Sequence, residues 1–223
     1  MIEWMVHLAA ALLALATLPG SLLLAVLSVA AFLPVSRREQ TAAPSTDRLA
    51  FVVPAHNEAA NIETTVDNLV AACRTDGQAE VWVIADNCSD DTAERARAAG
   101  AQVLERHNED QRGKGFALAY AFARIPETAG QWLIVVDADS TLEPGFLPAL
   151  RAAMHSDRNA LQACYLSRAG AHLRSRVSRI AQWGFNLVRP LGRQRLGFPA
   201  DCSAMALPCA VACWSACRSR PTR

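Results

Sequence analysis

The chain begins with a long apolar segment. Between Trp4 and Leu33 there is no Asp, Glu, Lys or Arg, and about 20 apolar residues are enough for a helix to cross a bilayer. This length favours a retained membrane anchor over residues 1–35 rather than a cleaved signal peptide or a buried core helix. Pro19 and Gly20 lie in its middle, and we expect one kinked span there, with a re-entrant hairpin as the alternative.

The polar residues 36–48 that follow predict a juxtamembrane linker, because they contain Pro44 and show no periodic apolar face. Glu3 precedes the apolar segment, whereas Arg37 and Arg38 follow it. Positive residues tend to stay on the cytoplasmic side of a membrane. We therefore expect an inner-membrane protein whose remaining chain faces the cytoplasm.

From Leu49 onward, short apolar runs alternate with amphipathic segments. Apolar runs of β character and segments with helical apolar spacing predict strands at 49–54, 81–85, 102–105 and 132–136, separated by helices at 62–73, 91–99 and 114–124. Such alternation is typical of an α/β domain with a mostly parallel, Rossmann-like sheet and helices on both faces. We predict that this domain covers residues 49–202.

Polar clusters follow three of the predicted strands, at 54–58, 86–92 and 137–140. The carboxyl ends of parallel strands share one sheet edge, where ligands bind, although each cluster alone also fits a helix-capping loop. Two carboxylates, Asp137 and Asp139, flank a single alanine directly after a buried strand. Like charges so close cost energy unless a cation neutralises them, which predicts Mg²⁺ or Mn²⁺ together with a phosphate-bearing ligand.

A glycine-rich basic loop, Arg112–Gly115, lies at the start of the helix predicted at 114. It fits either a phosphate-facing loop or a basic surface turn. No Walker motif is present, and no Gly-x-Gly-x-x-Gly follows the first strand, which argues against nucleotide hydrolysis and dinucleotide redox chemistry. With 22 basic and 21 acidic residues the formal net charge is +1, so nucleic acid is not an expected partner.

Three segments together resemble the family 2 glycosyltransferases of the GT-A fold. Residues 51–58 resemble the opening strand and loop of that family, residues 83–92 its nucleoside-binding segment, and residues 135–139 its Asp-x-Asp motif. The resemblance covers about residues 49–200. It implies a membrane-anchored, metal-dependent, inverting enzyme that transfers a sugar from a nucleotide-diphosphate sugar, expected to be a UDP-sugar, to a lipid or envelope polysaccharide acceptor.

The same resemblance assigns seven residues to donor binding: Pro54, Ala55, Glu58, Asp86, Lys114, Asp137 and Asp139. The first three would line the nucleoside pocket, and Asp86 would bond a uracil-like base. Asp137 would contact the ribose or sugar, and Asp139, with Asp137 beside it, would hold Mn²⁺ or Mg²⁺ against the diphosphate. Lys114 would assist at the phosphates.

The second half departs from the family pattern. Residues 161–165, an Arg-rich helix over 172–188 and residues 189–193 still resemble the family's linker toward the acceptor site. After Asp157, however, the only acidic residue is Asp201. The carboxylate general base that the family carries in this half is therefore absent, and we assign no catalytic base.

The tail at 203–223 has three cysteines at four-residue spacing, which is compatible with a soft-metal site. We favour another explanation, translation out of frame from near residue 203 with loss of the C-terminal part, because the neighbouring frame permits a Gly-Asn-Gly segment like the family's. Such a tail should pack poorly. The scattered Cys73, Cys88 and Cys164 are expected to be free thiols in a reducing compartment.

Two other functions stay open. A truncated remnant would bind nucleotide and transfer nothing, and the missing general base favours it. A sugar nucleotidyltransferase also uses an α/β nucleotide fold and a metal ion, but the Gly-rich, Arg-containing first loop of such enzymes is missing from this chain.

Overall fold

The computed structural model describes residues 2–34, 44–154, 160–163, 172–198 and 209–213. These residues group into two compact units, one containing 2–34 and 172–198 and the other containing the rest. The described residues leave out most of the predicted linker 36–48, as well as Asp157, Cys164 and Asp201. They also leave out the tail, except for 209–213.

The elements follow the predicted alternation closely. The helices are α1 (Ile2–Ala31), α2 (Ile62–Asp76), α3 (Thr92–Ala98), α4 (Lys114–Arg124), α5 (Phe146–Ala153), α6 (Leu173–Trp183) and α7 (Arg189–Arg195). The strands are β1 (Leu49–Ala55), β2 (Ala79–Asp86), β3 (Gln102–Arg106), β4 (Trp132–Val136), β5 (Ala160–Gln162) and β6 (Cys209–Cys213). A short 3₁₀ turn, Glu127–Ala129, precedes β4.

The larger unit is built on one sheet with the strand order β3-β2-β1-β4-β6-β5. Strands β1 to β4 are parallel, whereas β6 runs antiparallel to both β4 and β5. The predicted mostly parallel sheet is confirmed. The chain moves outward from β1 in opposite directions to β2 and to β4, which makes the crevice at their carboxyl ends a topological switch point.

Helices cover both faces of this sheet, as expected. On one face, α2 buries Ile62, Val66 and Leu69 at helical spacing, and α3 and α5 pack beside it. On the other face, α4 packs through Ala117 and Ala121. Strand β1 is therefore buried on both sides, which explains its continuous run of apolar residues.

Buried Arg151 of α5 joins the start of the domain to α2. Its Nε and Nη2 each donate to a carboxylate oxygen of Asp76 at 2.5 Å, and its Nη1 donates to the carbonyls of Ser45 and Asp47 at 2.9 and 2.8 Å. These bonds to Arg151 hold the pKa of Asp76 below its ordinary value. These hydrogen bonds and the paired carboxylate offset the desolvation cost of the buried guanidinium group.

Cys73 and Cys88, which lie in the described part of the sheet unit outside β6, are free thiols, as expected. Burial against the sheet raises the pKa of Cys73 to about 12. The thiol is therefore protonated at neutral pH and is a poor nucleophile.

The second half differs from the sequence prediction in three places. Residues 160–162, expected in a linker, form β5, and residues 209–213, expected in a poorly packed tail, form β6 between β4 and β5. A short apolar run pairs there because β4 would otherwise expose an unpaired edge. The helix predicted to end at 188 continues through a π turn, Gly184–Val188, into α7. Pro190 is the second residue of α7, directly after the π turn.

The smaller unit contains α1, which is one continuous helix with Pro19 inside it, so the re-entrant hairpin is excluded. Residues 3–31 are long and apolar enough to cross a membrane by length and composition. Helix α7 packs closely on α1 at Gly192. A Cβ at Gly192 would lie 2.1 Å from the carbonyl oxygen of Leu27, so only glycine allows this approach.

We expect Asp76→Asn to lower the free energy of unfolding by about 3 kcal/mol at neutral pH, because it leaves the buried Arg151 guanidinium without its counter-charge. The folded-state pKa of Asp76 is depressed, so its contribution is present above pH ~4 and is lost as the pH falls through the folded-state pKa. Chemical denaturation in detergent, followed by tryptophan fluorescence, measures both effects. The control is Asp67→Asn, which alters an exposed carboxylate on the same helix. Equal losses in the two variants would contradict the prediction.

We expect Gly192→Ala to destabilise the packing of α7 on α1 by about 1–3 kcal/mol, because the added methyl group meets backbone atoms that cannot move aside. Hydrogen exchange of the α7 amides in detergent micelles measures this loss. Gly184→Ala is the matched control, since a Cβ at Gly184 meets no atom within 4 Å. The close approach is refuted if both variants exchange at the wild-type rate.

Candidate functional site

The candidate site lies where β1, β2 and β4 end. A cavity of about 230 Å³ opens there between the loops after β1 and β2 and the start of α4. It is lined by Pro54, Ala55, His56, Asp86, Asn87, Arg112, Gly113, Lys114 and Ala117. The cavity is therefore made from two of the three polar clusters that the sequence analysis expected at one sheet edge, together with the basic loop that begins at Arg112.

Side-chain hydrogen bonds tie the loop after β1 to the loop after β2. Asn57, which has a left-handed φ of 54°, accepts a bond from the backbone N–H of Ser89 at 2.8 Å. The N–H of Glu58 donates to Thr92 Oγ1 at 2.9 Å. His56 contributes a further contact, 2.7 Å from its Nδ1 to the carbonyl oxygen of Asp86. The two loops form one wall of the site.

Asn87 connects the loop after β2 to the loop after β3. Its backbone also adopts a left-handed φ, 52°, which Asn tolerates better than most residues. Its side chain accepts from the N–H of Asn108 at 2.7 Å and donates to the carbonyl of the same residue at 3.1 Å. This pairing fixes the start of the 108–113 segment, which leads into α4.

Asp86 forms a buried ion pair with Arg106, the residue opposite it in the β2–β3 register. Arg106 Nη1 lies 2.6 Å from Asp86 Oδ1, and the two side chains are 5% and 8% exposed. Asn87 Nδ2 donates to the same oxygen at 3.2 Å. Among the described residues nothing donates to Asp86 Oδ2, and Asp86 is one of the residues that line the cavity.

The loop after β4 carries the two predicted metal ligands and is held by α2. Thr65 Oγ1 donates to the carbonyl of Ala138 at 2.7 Å, and Asn68 exchanges two hydrogen bonds with the backbone of Leu142. These bonds fix the backbone on both sides of Asp139. The geometry of the carboxylate pair therefore depends on α2 as well as on the strand.

The two carboxylates differ in their surroundings. Asp137 is half-buried and forms an ion pair with Lys114 Nζ. Asp139 is exposed, and its carboxylate has no partner in the described part of the chain. In that same part, no three His, Cys, Asp or Glu side chains group closely enough to hold a metal ion alone. Two hard oxygen donors beside an open cavity suit Mg²⁺ or Mn²⁺, which keep waters and substrate phosphates as their other ligands.

The structure brings together most of the predicted site residues. Pro54, Ala55, Asp86 and Lys114 line the cavity, and Asp137 joins them through its ion pair with Lys114. Glu58 does not line the cavity, since its carboxylate accepts a bond from Asn61 at 3.0 Å beside the α2 start.

Sequence reasoning gave no role to His56, Asn87 or Arg106. The first two were visible as polar residues inside the predicted clusters. Arg106 lies one position beyond the strand end predicted at 105, and only the strand order places it beside Asp86.

A second, larger cavity of about 760 Å³ lies between α2, residues 142–148 and residues 44–46. It shares no lining residue with the first, and the cation in its wall, Arg151, is already paired with Asp76. The smaller cavity is the better candidate, because the ends of β1 and β2 line it and its Lys114 pairs with Asp137 at the end of β4.

We expect Arg106→Gln to destabilise the domain by about 3 kcal/mol or more, since it leaves the Asp86 carboxylate buried without its counter-charge. Arg112→Gln is the matched control, because the ion pair of Arg112 with Glu109 is exposed and should contribute less than about 1 kcal/mol. Urea unfolding curves of both variants against the wild type measure the difference. A small effect at Arg106 would show that the pair is not structurally important.

Comparisons with known proteins agree with this architecture. The sequence model of "Glycosyl transferase family 2" matches residues 50–210, which is more than half of the chain and extends past the predicted boundary at 202 into β6. The mannosyltransferase PcManGT of Pyrobaculum calidifontis, solved with GDP-Man and Mn²⁺, superposes with a TM-score of 0.66 at 19% identity, over 92% of this chain and 55% of that one. At this identity the likeness shows the fold alone, which is GT-A.

Two curated relatives match shorter regions. Glycosyltransferase AglD of Haloferax volcanii is 34% identical over 112 residues, covering 48% of this chain and 18% of the relative. The undecaprenyl-phosphate 4-deoxy-4-formamido-L-arabinose transferase of Sodalis glossinidius is 25% identical over 139 residues, covering 60% and 42%. The matched region thus spans less than half the length of either relative. From the family match, the fold and these relatives together, the chain belongs to glycosyl transferase family 2.

Proposed function

We propose that this chain binds a nucleotide-diphosphate sugar at the β1–β2–β4 edge and supplies the donor side of a metal-dependent transfer to a membrane-associated acceptor. The observation that carries the proposal is the position of the carboxylate pair. Asp137 forms an ion pair with Lys114, and Lys114 lines the cavity. Asp86, which has one carboxylate oxygen without a donor among the described residues, lines the same cavity. Family membership favours this function over a sugar nucleotidyltransferase.

The nucleoside would occupy the cavity beside Pro54 and Ala55. Asp86 Oδ1 is held by Arg106 and Asn87, so Oδ2 is the oxygen that would accept an N–H from the base. A ring imide such as that of uracil presents such a donor, and we propose a UDP-sugar. Guanine presents one as well, and the Pyrobaculum enzyme was solved with GDP-Man, so the binding experiment includes both nucleotides.

The diphosphate would lie at the start of α4. Lys114 and Arg112 line the cavity there, and a helix begins with backbone N–H groups that have no partner inside the helix. Gly113, the residue directly before α4, adopts φ 116°. Glycine takes this conformation without strain. Cations and free amides would thus face the phosphates together.

Asp139 and Asp137 would hold Mn²⁺ or Mg²⁺ against the diphosphate. The bound divalent cation would neutralise negative charge on the departing nucleoside diphosphate. Thr65 and Asn68 would keep the two carboxylates in position through the loop backbone. Lys114 would contribute a second positive charge at the same phosphates.

The acceptor and the location rest on other features. Helix α1 is a candidate membrane span, and the Sodalis relative is named for a transfer to undecaprenyl phosphate. We propose a lipid or envelope polysaccharide acceptor, with the domain on the cytoplasmic face of the inner membrane. The described residues from 160 to 198 include no Asp or Glu, so none of them can act as a carboxylate base. This favours donor binding without transfer as the second candidate function.

We expect Asp139→Asn to abolish the metal-dependent part of nucleotide binding. Calorimetric titration of UDP and of GDP, each with and without Mn²⁺, measures it in detergent-solubilised protein. The wild type should bind one nucleotide at least about tenfold more tightly with Mn²⁺, because the diphosphate and the carboxylates share the cation. In the variant the affinities with and without Mn²⁺ should be equal.

Asp67→Asn is the control, since it removes an exposed carboxylate elsewhere on the domain and should leave binding unchanged. If neither nucleotide binds, or if Asp139→Asn keeps the full Mn²⁺ effect, the site assignment is wrong. A donor-hydrolysis assay with the matching sugar nucleotide then separates the two candidate functions. Release of free sugar supports an enzyme, whereas tight binding without release supports a nucleotide-binding chain.

A further inference from the structure

We propose that α6 lies on the surface of an anionic membrane next to the end of the α1 anchor. The apolar face of α6 then contacts the acyl region of the lipid bilayer, and its Arg residues contact the acidic headgroups. This goes beyond sugar transfer and rests only on the proposed membrane insertion of α1. The contacts that support it lie within the smaller unit.

The first support is charge. Helix α6 contains Arg174, Arg176 and Arg179, and the described stretch 172–198 has no Asp or Glu. No carboxylate of this stretch therefore offsets the charge of the three α6 arginines. A segment of this kind is attracted by acidic lipid headgroups, and the attraction falls off within a Debye length of the surface.

The second support is an exposed apolar face on the same helix. Leu173, Val177 and Ile180 recur at spacings of four and three residues, so they lie on one side. They are 74%, 58% and 70% exposed, and α6 has no buried residue within the described chain. Trp183, with Arg179 stacked 5.7 Å from its ring centroid, completes a composition typical of helices that lie in the membrane interface.

The third support is position. Helix α7, which continues from α6 through the π turn, packs on α1 at Leu27, four residues from the α1 end at Ala31. Leu24 and Ser28 of α1 face Ala181 and Gly184 across a small cavity. If α1 crosses the bilayer, Leu24, Leu27 and Ser28 lie in its last turns, close to the membrane surface. The contacts with these three residues therefore place α6 at the depth of the headgroups.

A lipid surface explains these features together better than a second copy of the chain does. Two copies of α6 would bring their Arg residues against each other, with no carboxylate on the segment to offset the repulsion. An anionic bilayer offers both the apolar phase for Leu173, Val177 and Ile180 and the counter-charge for the Arg residues. The cytoplasmic leaflet, predicted for this end of α1, carries such lipids.

Hydrogen exchange of the full chain in lipid nanodiscs tests the proposal. Amides of 173–183 should exchange at least about tenfold more slowly in phosphatidylcholine–phosphatidylglycerol discs than in phosphatidylcholine discs, because an undocked helix of this length frays. The triple variant Arg174→Gln, Arg176→Gln and Arg179→Gln should lose this difference. A control triple, Arg74→Gln, Arg95→Gln and Arg97→Gln, removes the same charge from exposed positions of the other unit and should keep it.

Equal exchange in both kinds of disc and in detergent micelles would overturn the proposal. So would protection in detergent that increases with protein concentration, because that result assigns the apolar face to a second copy. Free exchange of the α1 amides in the discs would show that the anchor is not inserted, and the inference would fall with it. Nucleotide titration does not depend on any of these outcomes, so a failure here is distinct from a failure of the donor site.

Discussion

The candidate site depends on one constraint: the loops that follow the parallel strands form hydrogen bonds with one another and with α2. Asn57 binds the loop after β2, Asn87 binds the loop after β3, and Thr65 of α2 binds the loop after β4. Each bond crosses from one chain segment to another, so no loop has its observed shape independently. The cavity walls and the carboxylate pair are held in place by the same set of bonds.

The buried Asp86–Arg106 pair extends this constraint into the sheet. Opposite charges at facing positions of β2 and β3 compensate each other where water is excluded, provided that both are present. The pair fixes one carboxylate oxygen and leaves the other available. A carboxylate with one fixed oxygen can present the second at a defined angle, which suits recognition of a flat heterocycle.

Sequence alone was sufficient for the first half of the fold. The apolar periods placed β1 to β4 and α2 to α4 within a few residues, because propensity, burial and turn chemistry agree there. It was insufficient where long-range pairing decides the structure. Strand β6 reads as a cysteine-rich run without a clear period and becomes a strand only because β4 and β5 flank it. Arg106 similarly acquires a partner from the strand order rather than from its neighbours in sequence.

The site residues divide in the same way. Pro54, Ala55, Asp86 and Lys114 could be found because they follow predicted strands or begin a predicted helix, and the structure gathers them around one cavity. Glu58 belongs to the same loop but turns toward Asn61, a direction that no sequence pattern reveals. The metal-binding roles of Asp137 and Asp139 stay a prediction, to be decided by nucleotide titration.

The Lys114 ammonium group is the counter-ion of Asp137, one of the two carboxylates proposed to hold the metal ion. If Asp137 holds the metal ion as proposed, an entering cation would have to compete with that ammonium group for the same carboxylate. A diphosphate would offer the ammonium group another anion, so its arrival would remove the competition. We therefore expect the two ligands to assist each other, with an affinity for either that is higher in the presence of its companion by the same factor. In that case, a cell in which the free metal concentration fluctuates would load the proposed site according to its supply of sugar nucleotide.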